Sequence, residues 1–392
     1  MPVEASSSVS ASRKLKYGMV GGGLDAFIGD VHRRAIDLDG KAEIVAGSFS
    51  GNESKTIEMG QILGLDKDRV YTTYQEMAQK EASREDGISF VSIVTPNFLH
   101  YNIAKIFLQK GISVVCEKPL TTELSQALEL KKLAKENDCL FAVTYTYTGH
   151  VMAKEAREIV LRGDIGKIRV VMAEYPQDWL VDTIEEEGNK QAVWRTDPKL
   201  SGSANCVGDI GSHIENMVSF ITGLRIKKLI ANMDIFGEGR QLDNNAEIIV
   251  KYDNGASGSY WCSQVAIGYD NALRVRIFGT MGTVEFDQEN CNYLKVVKKG
   301  QPPQIYSRGC GYISEEASKY SRIPSGHPEG LYEAFANIYS AFADAITKKL
   351  AGEEVDESKA GYPTIDMGID GVKFVTKSVE SMNKGSIWVD FE

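Results

Sequence analysis

The chain has 392 residues, 43% of them hydrophobic and 25% charged, with a formal net charge of −10. This length exceeds one ordinary core and predicts two domains, and an acidic balance with no basic block argues against a nucleic-acid partner. Six scattered cysteines with no C-x-x-C pair argue against a zinc cluster or disulfide framework, and no apolar run approaches a membrane span. The Ser-rich residues 1–13 lack an apolar stretch, so they read as a disordered tail and not a secretory signal, and the chain reads as cytoplasmic.

Leu15 to Val20 reads as a strand that runs into Gly21-Gly22-Gly23, and Phe27 to Leu38 as a helix. Strand, glycines, then helix is the context of a dinucleotide fingerprint, because main-chain N–H groups and a helix N-terminus can then approach a pyrophosphate. Gly21-x-Gly23-x-x-Ala26 fits its loosest form, and Gly29 serves only if the loop around Leu24-Asp25-Ala26 carries an insertion. The rhythm repeats through a strand at 42–49, a helix at 54–63, a strand at 88–94 ending in Thr95-Pro96-Asn97 with His100 beyond, and a helix at 103–110. Val114-Val115-Cys116 is a β-branched run stopped by Glu117-Lys118-Pro119, followed by a helix at 124–136 and a strand at 140–147. Alternating strands and helices predict a parallel, doubly wound sheet with ligands beyond the strand C-termini. Lys118 falls in that crevice, although a lone lysine after a strand is ordinarily just solvated. No carboxylate stands where an NAD ribose would want one, and Ser50 with Lys55 suits a 2′-phosphate, so the residues leave NAD and NADP even.

After residue 147 the pattern changes. A helix at 153–161 and a strand at 167–175 precede a long irregular stretch, 176–208, and six closely spaced strands from 228 to 297 then describe an antiparallel sheet. Helices near 329–348 and 367–382 close the chain. Between stretch and sheet, Gly208-Asp209-Ile210-Gly211-Ser212-His213 sets a carboxylate and an imidazole four apart, on one helix face, where the carboxylate would orient the imidazole. The competing reading makes Asp209 a helix cap and His213 incidental. No ligand motif joins Asp209, His213 and His327, so no metal is expected, and no G-x-S-x-G elbow is present. His32 reads as helix packing near the glycines and His150 as a helix start.

Together, Gly21-Gly22-Gly23, Thr95-Pro96-Asn97 with His100, Glu117-Lys118-Pro119 and Asp209-x-x-x-His213 resemble the glucose–fructose oxidoreductase/inositol dehydrogenase (Gfo/Idh/MocA) family from Lys14 onward. The resemblance implies an α/β chain: a Rossmann domain at 14–147, and a substrate and oligomerisation domain at 148–392 with an open, mostly antiparallel sheet. It implies NAD(P)-dependent hydride transfer to or from a sugar or polyol carbinol, such as ring position C3, and family habit tips the cofactor toward NAD. Homodimers or homotetramers through the C-terminal sheet are implied as well. Lys118 would hold the reacting hydroxyl, His213 would be the general acid/base, and Asp209 would bind substrate. On the cofactor side the implied contacts are Gly21, Gly23, Phe27, Ile28, Ser50 and Lys55 at the first two strands. Thr95, Pro96, Asn97, His100, Glu117 and Lys118 would follow from the next two, with Trp194 and Arg195 from the long stretch. Tyr147, Gln177, Trp179 and His327 are implied for substrate; Tyr175-Pro176-Gln177-Asp178-Trp179 and Trp194-Arg195 resemble levoglucosan and sugar 3-dehydrogenases of the family. Two rival functions on this fold are an NAD-dependent glycosidase working by transient oxidation and elimination, and a non-catalytic dinucleotide-sensing regulator.

Overall fold

The computed structural model describes residues 14–24 and 26–392, so the expected tail at 1–13 and Asp25 of the Leu24–Ala26 insertion lie outside the described residues. The first half alternates as expected: β1 Leu15–Gly21, α1 Phe27–Leu38, β2 Ala42–Ser48, α2 Glu53–Ile62, α3 Tyr74–Ala82, β3 Phe90–Val94, α4 His100–Gln109, β4 Ser113–Cys116, α5 Leu124–Glu136 and β5 Phe141–Val143. The strands pair in parallel in the order β2-β1-β3-β4-β5. Their registers place Gly21 beside Val94, Ile93 beside Cys116, and Cys116 beside Val143, so the C-terminal ends form one rim. The order reverses between β1 and β3, which opens a crevice at that rim.

The second half runs α6 Val151–Leu161, β6 Ile168–Pro176, α7 Lys190–Thr196, α8 Pro198–Ser201, a widened π turn at Val207–Gly211, α9 Ser212–Thr222, β7 Ile226–Asp234, β8 Asn245–Tyr252 and β9 Ser257–Ser263. It continues through β10 Arg274–Gly279, β11 Gly282–Asp287, β12 Tyr293–Lys298, β13 Gln304–Ser307, α10 Glu315–Ser318, α11 Leu331–Leu350, α12 Ile365–Asn383 and β14 Val389–Asp390. These strands form a nine-stranded sheet, β13-β12-β11-β10-β6-β9-β8-β7-β14. Every pairing in it is antiparallel except β6 with β9. That exception matters, because parallel strands end together: Pro176 pairs with Ser263, and the segments after both enter the same region. One face buries Val171, Ile248, Tyr260, Val275 and Phe286 against Ile214, Met217 and Phe374 of the helices.

Two late helices clamp the first sheet. α11 buries Phe335, Tyr339 and Phe342 with Tyr17 and Phe90 on one face, and α12 buries Ile365, Ile369 and Val372 on the other. Each such side chain contributes about 1.5–3 kcal/mol, whereas the exposed Lys41–Asp344 pair beside α11 belongs to a class worth about 0–1 kcal/mol. Apolar burial therefore sets where α11 lies. Differences from the sequence reading are local. α3 was not anticipated, and the strand expected at 140–147 stops at Val143, where Thr146–Gly149 turns as a short 3₁₀ helix. Among the described residues no helix is long and apolar enough to cross a membrane.

Candidate active site

At the rim of the first sheet the glycine turn is shaped by backbone geometry. Gly21 has φ of +86°, and a Cβ there would lie 2.9 Å from both Val94 O and Thr95 Cγ2. A Cβ on Gly29 would overlap Gly22 Cα, so α1 starts in direct contact with the turn. Gly29 thus supplies the close helix–turn packing that the fingerprint's third glycine provides. Across the crevice Thr95 Oγ1 and Asn97 Oδ1 are buried without hydrogen-bond partners among the described residues. Bare backbone on one side and unpaired polar atoms on the other fit a dinucleotide. Phe27 stands 73% exposed at the open end of α1, Ile28 packs into the core beneath it, and Pro96 is exposed between Thr95 and Asn97. Ser50 and Lys55 flank the start of α2, where the Ser50 hydroxyl accepts from Asn52 N at 3.1 Å.

His100 lies between the Thr95 turn and the Pro119 turn. It is buried, and its two ring nitrogens contact the Pro119 and Thr95 carbonyls, each at 2.9 Å. Burial lowers its pKa, and a neutral ring donates to one of these carbonyls while its other nitrogen, an acceptor, only faces the second. Glu117 is also interior. Burial disfavours its charge, but the His32 hydrogen bond and charge, with Thr144 and Lys118, bring its pKa down to about 2.

Lys118 and Asp209 meet from opposite sheets. Lys118 Nζ donates to Asp209 Oδ1 at 2.7 Å and to Asp209 O at 2.9 Å. Asp209 Oδ2 accepts from Gln264 Nε2 at 3.1 Å and lies 3.3 Å from Arg195 Nε. Burial opposes the charge on Asp209, yet Arg195 and Lys118 outweigh it and hold the carboxyl well below the usual range. Asp209 sits inside the π turn and does not cap the helix. The buried Asp243 carboxylate takes the Asn205 and Val207 N–H groups, at 2.7 and 2.8 Å, and fixes the start of that turn. Such π turns occur often at functional sites.

His213 does not lean on Asp209 as the spacing suggested. Neither ring nitrogen has a hydrogen bond among the described residues; instead Tyr147, Tyr145 and Tyr175 surround the imidazole, with centroids at 4.8, 5.5 and 6.0 Å. Burial first, and then the Lys118 charge, push its pKa down to about 3. The ring is neutral and uncommitted. Beside it runs a polar ladder centred on Asn271. Asn271 Oδ1 accepts from Tyr175 OH at 2.5 Å and Gln177 Nε2 at 2.8 Å, and its Nδ2 donates to Tyr147 OH at 3.1 Å. Trp179 Nε1 donates to Gln177 Oε1 at 3.1 Å. On α7, Arg195 stacks on Trp194, 4.2 Å from guanidinium carbon to ring centre.

The structure thus gathers Lys118, Asp209, His213, Tyr147, Gln177, Trp179, Trp194 and Arg195. It leaves out His327, which is exposed on a loop held by Arg308, and no hydrogen bond, ion pair or ring contact joins it to Lys118, Asp209 or His213 among the described residues. Gln264 and Asn271 were missed. Gln264 follows β9 and reaches the site through the parallel β6–β9 pairing, whereas Asn271 precedes β10 and reaches it through the antiparallel β10–β6 pairing. A glycine-turned dinucleotide crevice ending on a lysine, a carboxylate and a free imidazole defines a nucleotide-dependent oxidoreductase.

Comparison with known proteins agrees. Residues 15–145 match the family model described as "Oxidoreductase family, NAD-binding Rossmann fold", and residues 153–285 match "GFO/IDH/MocA C-terminal domain". The chain belongs to the GFO/IDH/MocA family of NAD-binding oxidoreductases. It is 36% identical to "Uncharacterized oxidoreductase YfiI" of Bacillus subtilis (strain 168), covering 97% of this chain and 98% of that one. It is 24% identical to the levoglucosan dehydrogenase of Pseudarthrobacter phenanthrenivorans, over 72% and 81% of the two chains. An inositol dehydrogenase homolog from Azotobacter vinelandii, solved with NAD+, superposes with a TM-score of 0.93 at 36% identity, covering 96% of this chain and 97% of that one. Solved with NADH and myo-inositol, it gives 0.90 at 35% identity, over 96% and 97%.

Proposed function

We propose that this protein is an NAD-dependent dehydrogenase of sugars or cyclic polyols, acting on a ring carbinol, with residues 14–147 holding the dinucleotide and 148–392 the alcohol. Bound NAD supplies the hydride acceptor. The Lys118 ammonium has three donors, and Asp209 takes two of them. The third holds the reacting hydroxyl oxygen. His213 then accepts the hydroxyl proton on a ring nitrogen that no other described residue engages, and returns it in the reverse direction. Asp209 is shared by the Lys118 and Arg195 cations, while Tyr147, Gln177 and Trp179 offer donors and acceptors suited to ring hydroxyls.

The observation that carries this reading is a lysine with one donor to spare beside an imidazole with neither nitrogen hydrogen-bonded, both among the described residues. The relative crystallised with myo-inositol supports the polyol class. The outer face of the nine-stranded sheet supports self-association: Met172, Ser259 and Ile249 stand in register, with Met172 40% and Ile249 47% exposed. We assign this face to a homodimer or homotetramer contact.

The test is a panel of myo-inositol, glucosides and anhydrosugars, each with NAD and with NADP, followed by NADH absorbance. Substrate-dependent NADH formation that disappears in Lys118→Met supports the proposal. Free sugar released from glycosides without net NADH would assign the glycosidase chemistry instead. No response to any alcohol would leave the regulator reading.

A further inference from the structure

Helix α1 is tied to both halves of the site. Its Gly29 abuts Gly22, and Arg33 Nη1 donates to Gly22 O at 2.8 Å, so the helix moves with the dinucleotide turn. One residue before Arg33, His32 is fully buried. Its Nε2 lies 2.8 Å from Glu117 Oε1, and its Nδ1 lies 2.6 Å from the Tyr339 hydroxyl of α11. An ionised Glu117 only accepts, so Nε2 carries the hydrogen and donates it. The same oxygen accepts from Thr144 Oγ1 at 2.6 Å, and Oε2 accepts the Lys118 backbone N–H at 3.1 Å. Behind the imidazole, Tyr339 OH pairs with Ser92 Oγ at 2.7 Å, and the Phe335 ring packs at 4.7 Å.

The geometry points to His32 as a positioning residue that holds Glu117 as a rigid crosspiece between the dinucleotide turn and Lys118, and so sets where the Lys118 side chain stands. The inference rests on Lys118 being the group that binds the reacting hydroxyl. His32 touches neither substrate nor cofactor in this account. Both of its ring nitrogens are engaged, and one of them supports the residue next to Lys118. A packing histidine would need only its ring faces. Without His32, Glu117 becomes a buried carboxylate short of a donor, and burial then favours its protonated form. A protonated carboxyl oxygen donates where it used to accept, which loosens its hold on the Lys118 N–H and with it the Lys118–Asp209 pair.

The experiment compares His32→Leu, which removes the donor, with His32→Gln, which keeps an N–H for Glu117. The first readout needs no substrate: the rate at which 2,4,6-trinitrobenzenesulfonate labels Lys118, followed by peptide mass spectrometry. His32→Leu is expected to label about threefold faster, as a partly buried ion pair loosens, and His32→Gln at the wild-type rate. Turnover on the most active alcohol of the panel should fall about 10- to 100-fold in His32→Leu and recover in His32→Gln. The NADH dissociation constant from fluorescence should stay near wild type. The pH profile of His32→Leu should gain an acid limb from Glu117 that wild type lacks.

Should His32→Leu not fold, Thr144→Val removes the other donor to the same oxygen and is read in the same way. Wild-type labelling and turnover in the folded variant would overturn the inference. So would a loss of NADH affinity in step with turnover, which would confine His32 to the dinucleotide turn. Failure of the underlying reading is separate: Lys118→Met would then turn over normally, whatever the labelling shows. An inactive Lys118→Met beside a wild-type-like His32→Leu would retain the function and discard the role of His32.

Discussion

Lys118 and Asp209 lie 91 positions apart, yet the lysine ammonium grips the aspartate twice, through its side chain at 2.7 Å and its carbonyl at 2.9 Å. The lysine ends a strand of the first sheet, and the aspartate sits in a turn that rests on the second. Their pairing registers the two sheets at the one place where cofactor and alcohol would meet. Lys118→Met keeps the stem but deletes the donors, so turnover should fall about 10²- to 10³-fold, the loss typical of one preorganised donor. Steady-state kinetics with NADH binding measured in parallel checks this, and turnover within a few-fold of wild type would contradict it.

The pH dependence of kcat/KM follows from His213. A proton acceptor fails as pH drops through its own pKa, and burial with the Lys118 charge has moved that point from 6.5 to about 3. The imidazole is therefore ready as a base throughout pH 5–8, and kcat/KM for alcohol oxidation should show no acid limb near 6.5. A limb with its midpoint there would mean that the ring is solvated and ordinary.

Asn271 links Tyr175, Tyr147 and Gln177, so its loss should blur the pocket proposed for ring hydroxyls without touching the proposed proton path. Asn271→Ala should raise KM for the alcohol about tenfold or more, at roughly 1–3 kcal/mol for polar groups left unpaired, with a smaller change in kcat. An unchanged KM would remove the ladder from substrate recognition.

Much of this site was legible from local pattern. The β-branched run before Glu117-Lys118 marked a strand end, whereas the four-residue spacing of Asp209 and His213 suggested a contact that the π turn does not make. Partners chosen by tertiary contact were not legible. Gln264 depends on β9 running parallel to β6, and Asn271 on β10 pairing antiparallel with β6 on its other side; strand order and direction leave no trace in a hydrophobic pattern. The partners of His100 were not legible because they are backbone carbonyls, which every sequence has. His327 followed a glycine and preceded a proline at a helix entrance, and that entrance opens elsewhere. His32 looked like packing because its partners, Glu117 and Tyr339, lie 85 and 307 positions away.

Acid stability gives a prediction that is independent of catalysis. His150 is buried at the start of α6 with Nε2 unpartnered among the described residues, and burial lowers its pKa to about 4. Below pH 6.5 the unfolded chain takes up a proton that the folded chain refuses, so stability falls as pH falls from 6.5 toward 4. Between pH 7 and 5 this costs about 2 kcal/mol. In urea melts, wild type should lose that much relative to His150→Asn over the interval, whereas a constant difference would mean that His150 is protonated in the fold.

The most direct test is His213→Ala, with turnover and NADH affinity measured on the same preparation. The account predicts a turnover loss of about 10²- to 10⁴-fold, an unchanged dissociation constant for NADH, and an intact fold by circular dichroism. Turnover equal to wild type in that variant would take the imidazole out of the proton path and contradict the mechanism.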